Sequence, residues 1–244
     1  MKRTILITND DGPMADGLRR LAVCAREFGD VWIVAPEAQR SAASHSITLH
    51  DTLDVHSFDF GIPGVRGWVC SGSPADCVRV AVHYLLPARP DVVLSGINDG
   101  SNAGTDLQYS ATAGAAFEAA FQGITGISLS ERAAKAHGVT DLYLSRMLER
   151  YIDEKLPWDE IFNINFPSCD PEKCKGVLTH RLVSSGTFYH DTYKKTADLE
   201  DGGIRLMVHG TPNEDAGPQD DITAIVHGYI SVGRVRNVST PLRP

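Results

Sequence analysis

The chain has 244 residues, 42% hydrophobic and 22% charged, with 31 acidic side chains against 23 basic ones and a formal net charge of -8. That length suits one large α/β domain and could just hold two small ones. The acidic balance argues against a non-specific grip on duplex nucleic acid, and no apolar run approaches the length of a membrane span.

Behind Met1-Lys2-Arg3 the apolar run is only Ile5-Leu6-Ile7. That is too short for a signal-peptide core, so a soluble, cytoplasmic protein is expected. Residues 4–8 read as a first strand, and Asp16 to Phe28 as a helix with Leu18, Leu21, Ala22 and Ala25 on one face. Val31 to Ala35 is a second strand, closed by Pro36. This β-α-β order implies parallel strands. Gln39 to Ser46 is a polar loop. Ile47 to Phe60 alternates apolar and polar residues and is expected to form exposed strands, followed by a strand from Val65 to Cys70. Ser73-Pro74 opens a helix to about Leu86, with Ser73 as its cap and Asp76 at its positive end.

Asp91 to Ser95 is the next buried strand. Ser110 to Gln122 is rich in alanine and glycine, which suits a helix pressed against a sheet. Gly126 to Ser130 is a strand, Asp141 to Lys155 an amphipathic helix, and Ile161 to Phe166 a strand stopped by Pro167. After Pro167 strands are expected near Val177 to Val183, Ile204 to Val208 and Ile222 to Val232. Polar stretches from Tyr193 to Gly203 and from Thr211 to Asp221 separate them. The five cysteines, Cys24, Cys70, Cys77, Cys169 and Cys174, are odd in number and scattered, a poor disulfide framework. Cys24 and Cys77 read as buried thiols; Cys169 and Cys174 flank a short loop that a disulfide or a metal clip could close, but with no second Cys or His pair at zinc spacing they read as free thiols.

Two segments carry the chemistry. Thr4 to Gly12 is an apolar run ending in Asn9-Asp10-Asp11-Gly12, and Asp91 to Asn102 is another, ending in Asn98-Asp99-Gly100-Ser101-Asn102. In open α/β sheets ligands bind beyond the carboxyl ends of such strands. Asp10, Asp11 and Asn98 are hard oxygen donors, the chemistry of a divalent cation, and such a cation points to phosphate. Each piece also has a plainer reading. An Asp-Asp-Gly can be a helix cap beside a solvated carboxylate, and Asn and Asp-Gly pairs favour turns. The loop from Arg40 to Ser46 reads by composition as an ordinary polar loop, in which Ser41 is an optional oxygen donor. His45 there is either a general acid or an exposed loop histidine. Tyr109-Ser110-Ala111-Thr112 opens a helix, which is either a plain serine cap or an anion site built from free N–H groups and hydroxyls.

Together these segments resemble the SurE family of stationary-phase survival proteins, which are metal-dependent 5'- and 3'-nucleotidases. The resemblance rests on Asn9-Asp10-Asp11-Gly12, Val34-Ala35-Pro36, Arg40-Ser41 through Ser46-Ile47-Thr48, and Pro74-Ala75-Asp76-Cys77-Val78. It continues through Ser95-Gly96-Ile97-Asn98-Asp99-Gly100, Asn102, Gly104 and Tyr109-Ser110, with weaker matches at Asn163 to Pro167, Asp221 and Gly228 to Val232. Ala42, Ala111 and Ala113 depart from the family pattern, which has glycine, glycine and valine there.

The resemblance implies a three-layer, Rossmann-like α/β core with a mostly parallel sheet and a C-terminal β-hairpin extension. The whole of 1–244 would be one domain, with its core at about 1–167 and the extension at about 168–244. It implies one divalent metal ion per subunit, Mn²⁺ or Mg²⁺, on Asp10, Asp11, Ser41 and Asn98. Asp10 and Asp11 would be catalytic, and Asn98, Asn102, Ser110 and Thr112 would hold the substrate phosphate. Tyr109, Phe188 and Tyr189 are candidates for stacking on the base. The substrate would be a nucleoside 5'-monophosphate, with 3'-monophosphates and short polyphosphate as further options, and the assembly a homodimer or homotetramer. Two other classes compete with this reading. One is a nucleotide-binding regulatory module without turnover. The other is a Rossmann oxidoreductase, which would want Gly-x-Gly-x-x-Gly where this chain has Asn-Asp-Asp-Gly.

Overall fold

In the computed structural model, which describes residues 2–132, 137–213 and 216–237, the first apolar run forms β1 (Thr4–Thr8) at the heart of the sheet. Ile5, Leu6 and Ile7 are all fully buried, as a parallel strand covered on both faces requires. On one side β1 pairs in parallel with β2 (Asp30–Pro36), and β2 with β4 (Arg66–Cys70); β3 (Val55–Ser57) runs antiparallel at that edge. On the other side β1 pairs in parallel with β5 (Val92–Asp99), followed by β6 (Thr125–Glu131) and β7 (Glu160–Phe166). The sheet ends with β11 (Ile230–Arg236), antiparallel to β7, and the short β8 (Val177–Leu178), parallel to β11.

The chain therefore leaves β1 toward β2 and β4, then returns to the opposite side for β5. Strand order reverses between β1 and β5, and the connections leaving their carboxyl ends diverge there, which opens a crevice. The helices α1 (Asp16–Ala25) and α4 (Gly138–Tyr151) lie on one face, where Leu18, Leu21, Leu144 and Leu148 belong to the same core cluster as Ile5 and Ile7. On the other face lie α2 (Pro74–Val80) and α3 (Ala111–Phe121), where Val78, Ala115 and Ala119 meet Leu6, Val34 and Val93. This is the expected three-layer α/β core with a mostly parallel sheet. Every residue of α3 from Ala111 to Ala120 is buried, so its small side chains bring the helix axis close to the strands. Helix α2 starts with a capping box. Ser73 Oγ accepts the Asp76 N–H at 3.1 Å, and Asp76 Oδ2 accepts the Ser73 N–H at 3.0 Å. Asp76 also accepts the N–H and the hydroxyl of Thr48, both at 2.9 Å, which ties the Ser46-Ile47-Thr48 segment to the helix.

The C-terminal third differs from its sequence reading in three places. The stretch from Ile222 to Val232 is not one strand: it divides into α5 (Asp221–Val226) and β11. Ile222, Ile225 and Val226 stand at helical spacing, and Gly228 with φ 81° turns the chain into the strand. The polar stretch from Tyr193 to Gly203 is a turn only from Leu199 onward. Its first part belongs to β9 (Tyr189–Asp198), which among the described residues pairs only with β10 (Ile204–Pro212) in a two-stranded ribbon. Most of that ribbon is exposed on both faces, so β9 needs no apolar alternation and gave no periodic signal. Only Val55–Ser57 of the alternating segment from Ile47 to Phe60 pairs as a strand, and only Val177–Leu178 of the segment to Val183. All five cysteines are free thiols, Cys77 buried and Cys24 partly so. The last residues of the expected extension, 238–244, lie outside the described residues.

Asp221 fastens this extension to the core. Its buried carboxylate accepts the N–H groups of Gly104 at 3.0 Å, Ser184 at 3.1 Å and Ile222 at 2.8 Å. Substitution Asp221→Ala strands those donors and is expected to cost about 2 kcal/mol or more. Urea unfolding checks it, and a midpoint equal to wild type would show that the donors find other partners.

Candidate active site

The turn after β1 places Asp10 and Asp11 at the mouth of the crevice. Asp10 is 3% exposed. Its Oδ1 accepts the hydroxyl of Thr112, at the start of α3, at 2.6 Å, and its carbonyl accepts the Arg40 N–H at 2.7 Å. Asp11 is partly exposed, and its Oδ2 accepts the N–H of Asp99, at the end of β5, at 3.2 Å. The two strand ends, separated by some ninety residues of chain, thus meet through Asp11.

The electrostatics are those of a site holding more negative charge than the protein itself balances. Burial pushes the Asp10 carboxyl up to about 6; the Thr112 hydrogen bond opposes the rise and the neighbouring Asp11 charge adds to it. Burial also raises Asp11, with the Asp99 charge pushing the same way. Among the described residues no ion pair to Lys, Arg or His relieves either group. A buried carboxylate beside a half-buried one, without a basic partner, suits a divalent cation, which would supply the missing charge.

The neighbouring oxygens fit the same group. Gly96, with φ 135°, packs so closely that a Cβ there would lie 2.2 Å from the carbonyl of Leu129. The β5–β6 register shifts between Ser95 and Asn98, and such an irregularity re-aims the side chains that follow it. Asn98 donates its Nδ2 to the Gly100 carbonyl at 2.7 Å, which leaves its Oδ1 as an acceptor. Ser41 lies in the loop after β2. Its Oγ accepts Gln39 Nε2 at 3.1 Å, and the Gln39 side chain also hydrogen-bonds Asp11. Among the described residues no group of three or more His, Cys, Asp or Glu could hold a metal. A cation here would therefore take its donors from two carboxylates completed by the neutral oxygens of Asn98 and Ser41.

The residues expected around the phosphate have assigned partners. Ser110 caps α3, its Oγ accepting the Ala113 N–H at 3.0 Å. The hydroxyl of Thr112 is committed to Asp10. Asn102 donates its side-chain amide to Ser130 Oγ at 2.8 Å. Its main chain is clasped by β7: Asn163 and Asn165 donate to its carbonyl at 2.9 and 3.0 Å, and Asn165 accepts its N–H at 2.9 Å. The Asn163-Ile164-Asn165 run is thus the clamp on the loop after β5, a role its apolar neighbours concealed. Gln39 was likewise missed. Its only sequence signal is its place two residues before Ser41. Of the stacking candidates, Phe188 is fully buried against Ala103, Ile222 and Ile225 and cannot present a ring to a ligand. Tyr109 is exposed, and Tyr189 packs edge-on against Phe188.

A doubly wound α/β sheet with paired carboxylates at its switch point is the framework of a Rossmann-like protein with an acidic site at the carboxyl ends of its strands. Residues 5–187 match the family model described as survival protein SurE, and the chain belongs to that family. It is 37% identical over 235 residues to the 5'-nucleotidase SurE of Pelotomaculum thermopropionicum, covering 93% of this chain and 87% of the relative. It is 36% identical over 230 residues to the 5'/3'-nucleotidase SurE of Salmonella paratyphi B, covering 93% and 88%. The crystal structure of a SurE protein from Aquifex aeolicus superposes with a TM-score of 0.81 at 28% identity, covering 97% of this chain and 95% of that one.

Thr112→Val removes the only side-chain hydroxyl bonded to Asp10 among the described residues while keeping the shape. Divalent-cation affinity is expected to fall on the order of tenfold or more, because partners that orient ligands carry that much. Titration calorimetry on metal-free protein checks it. Undiminished affinity would show that Asp10 holds its orientation without Thr112.

Proposed function

We propose that the chain hydrolyses nucleoside 5'-monophosphates to nucleoside and phosphate, with 3'-monophosphates as a second substrate class and short polyphosphate as a third. The observation that carries this reading is the uncompensated Asp10–Asp11 pair at the switch point, facing the head of α3. Relatives identical to this chain at more than a third of the aligned positions bear the name nucleotidase.

Asp10, Asp11, Asn98 and Ser41 would hold one divalent ion per subunit, Mn²⁺ or Mg²⁺. Bound there, the ion supplies positive charge that offsets the phosphate and lowers the barrier to attack by water. Asp10 and Asp11 accept hydrogen bonds from the attacking water and aim it at phosphorus, in line with the nucleoside oxygen that leaves. Asn98, Asn102, Ser110 and Thr112 surround the phosphate. Most of the donation falls to backbone N–H groups at the head of α3, since the Thr112 hydroxyl and the Asn102 amide already have acceptors. Hydrolysis then balances simply: water adds to phosphorus, the P–O bond to the nucleoside breaks, and the leaving oxygen takes a proton.

No helix among the described residues is long and apolar enough to cross a membrane, and we place the enzyme in the cytoplasm. A homodimer or homotetramer belongs to the same proposal. Its support is the ribbon β9–β10, where Tyr193, Leu206, Met207 and Val208 are exposed, an apolar surface of the kind that partners cover.

Phosphate release from a panel of nucleoside monophosphates, by chelator-stripped protein with and without added Mn²⁺ or Mg²⁺, tests the activity. Release only with metal supports it. Folded protein that binds nucleotides and releases nothing would make the chain a binding module instead. Asp10→Asn is expected to lower kcat by a factor on the order of a thousand or more. Its melting temperature should stay near or above wild type, because the substitution removes the cost of burying a charged carboxylate and its repulsion with Asp11. Lost activity with a collapsed melting temperature would assign Asp10 a structural role.

A further inference from the structure

The loop that carries Ser41 is held in a shape it would not adopt alone. Ala42 has φ 57° and Ser44 has φ 55°. Neither is glycine, and a Cβ is strained in the left-handed region, so surrounding contacts must impose the shape. Those contacts come from α3 and the residues just ahead of it. The Ser44 N–H donates to the Tyr109 carbonyl at 3.0 Å, and the Ser44 hydroxyl to the Gln108 carbonyl at 2.6 Å. The loop backbone lies directly on Gly114, where a Cβ would stand 2.4 Å from the Ser44 carbonyl and 2.9 Å from His45 Cα. One turn further along α3, Glu118 Oε2 accepts His45 Nε2 at 2.9 Å, and the imidazole stacks on Phe121 with ring centroids 5.3 Å apart.

Glu118 is out of place by every ordinary criterion. It sits in a helix of alanines and is 3% exposed. A buried carboxylate there needs partners, and it has three: His45, Arg79 Nη1 at 3.0 Å and Gln122 Nε2 at 2.9 Å. The hydrolysis described above uses none of these groups. At the other end of the loop, the Arg40 N–H is fixed to the Asp10 carbonyl at 2.7 Å. Ser41 is therefore suspended between two anchors, one on Asp10 and one on Glu118.

We propose that His45 is a positioning residue: gripped by Glu118, it keeps the 40–46 loop seated on α3 and so sets Ser41 against Asp10 and Asp11. The inference rests on the reading of Ser41 as a cation donor. It assigns His45 to neither side of its sequence reading, since the ring is neither a free loop side chain nor a group that touches substrate.

The test uses His45→Ala, His45→Gln, which retains a donor for Glu118, and Gly114→Ala, which wedges the loop off α3 while favouring the helix itself. Two properties are read on metal-free, full-length protein: Mn²⁺ affinity by calorimetry, and the rate of tryptic cleavage between Arg40 and Ser41. Urea unfolding accompanies both. Expected for His45→Ala are an affinity loss of about tenfold, faster cleavage after Arg40, and a urea midpoint close to wild type. His45→Gln should recover most of both properties, and Gly114→Ala should reproduce the loss. Should His45→Ala fail to fold, Gly114→Ala carries the same test. Wild-type affinity in folded His45→Ala overturns the proposal, whether or not cleavage quickens. If the wild-type protein itself takes up no Mn²⁺, the donor reading of Ser41 fails separately. Cleavage then decides alone: faster cleavage sustains the docking role, and an unchanged rate overturns it.

Discussion

Two neighbouring carboxylates at the end of a central strand are the constraint around which this molecule is arranged. Water would solvate them readily, but β1 delivers Asp10 into a nearly closed crevice. Such burial is costly unless donors or a cation answer it. The answers come from every element that reaches the crevice. Thr112 donates from α3, the Asp99 N–H from the end of β5, and Gln39 from the loop after β2. Because all of these converge on two residues, small displacements of any one element change the site. This explains why loops that never touch the carboxylates are themselves held so firmly.

That firmness is visible in the layer of polar fixings behind the site. The loop after β5 is clasped at Asn102 by two asparagines of β7, and at Gly104 by Asp221. The Ser46-Ile47-Thr48 segment is held by Asp76 in the first turn of α2. Each fixing is a buried carboxylate or amide bonded to main-chain groups, where an unpaired donor costs more than a surface ion pair contributes. The C-terminal extension thus takes part in the core by way of Asp221, although its ribbon β9–β10 stands apart as a separate sheet.

Much of this was readable in the chain. The Asn-Asp-Asp-Gly and Gly-Ile-Asn-Asp endings announced two strand ends with hard oxygens, and a parallel sheet brings such ends together. Asp10, Asp11 and Asn98 followed from that pattern, whereas Ser41 rested on family resemblance because its loop has no periodicity to place it. The partners of these residues were hidden for a physical reason. Thr112 and Asp10 are far apart in sequence, as are His45 and Glu118, and no local propensity encodes a contact made by tertiary packing. The division at Ile222 shows a different limit. A short apolar run fits helix and strand alike, and only burial against Ala103 and Phe188 settles the choice.

The bond from Asp11 to the Asp99 N–H also says something about time. Its two ends lie 88 residues apart, and the bond from Thr112 to Asp10 spans 102. During synthesis β1 and β2 emerge early, but the carboxylates at the tip of β1 have nothing to meet until β5 and the head of α3 have left the ribosome. Long-range closures of this kind form late, after the loop entropy between them has been overcome. Half-made chains therefore carry the acidic pair without its setting. The acidic pair acquires its setting only once most of the parallel sheet is in place, so its closure doubles as a check on assembly.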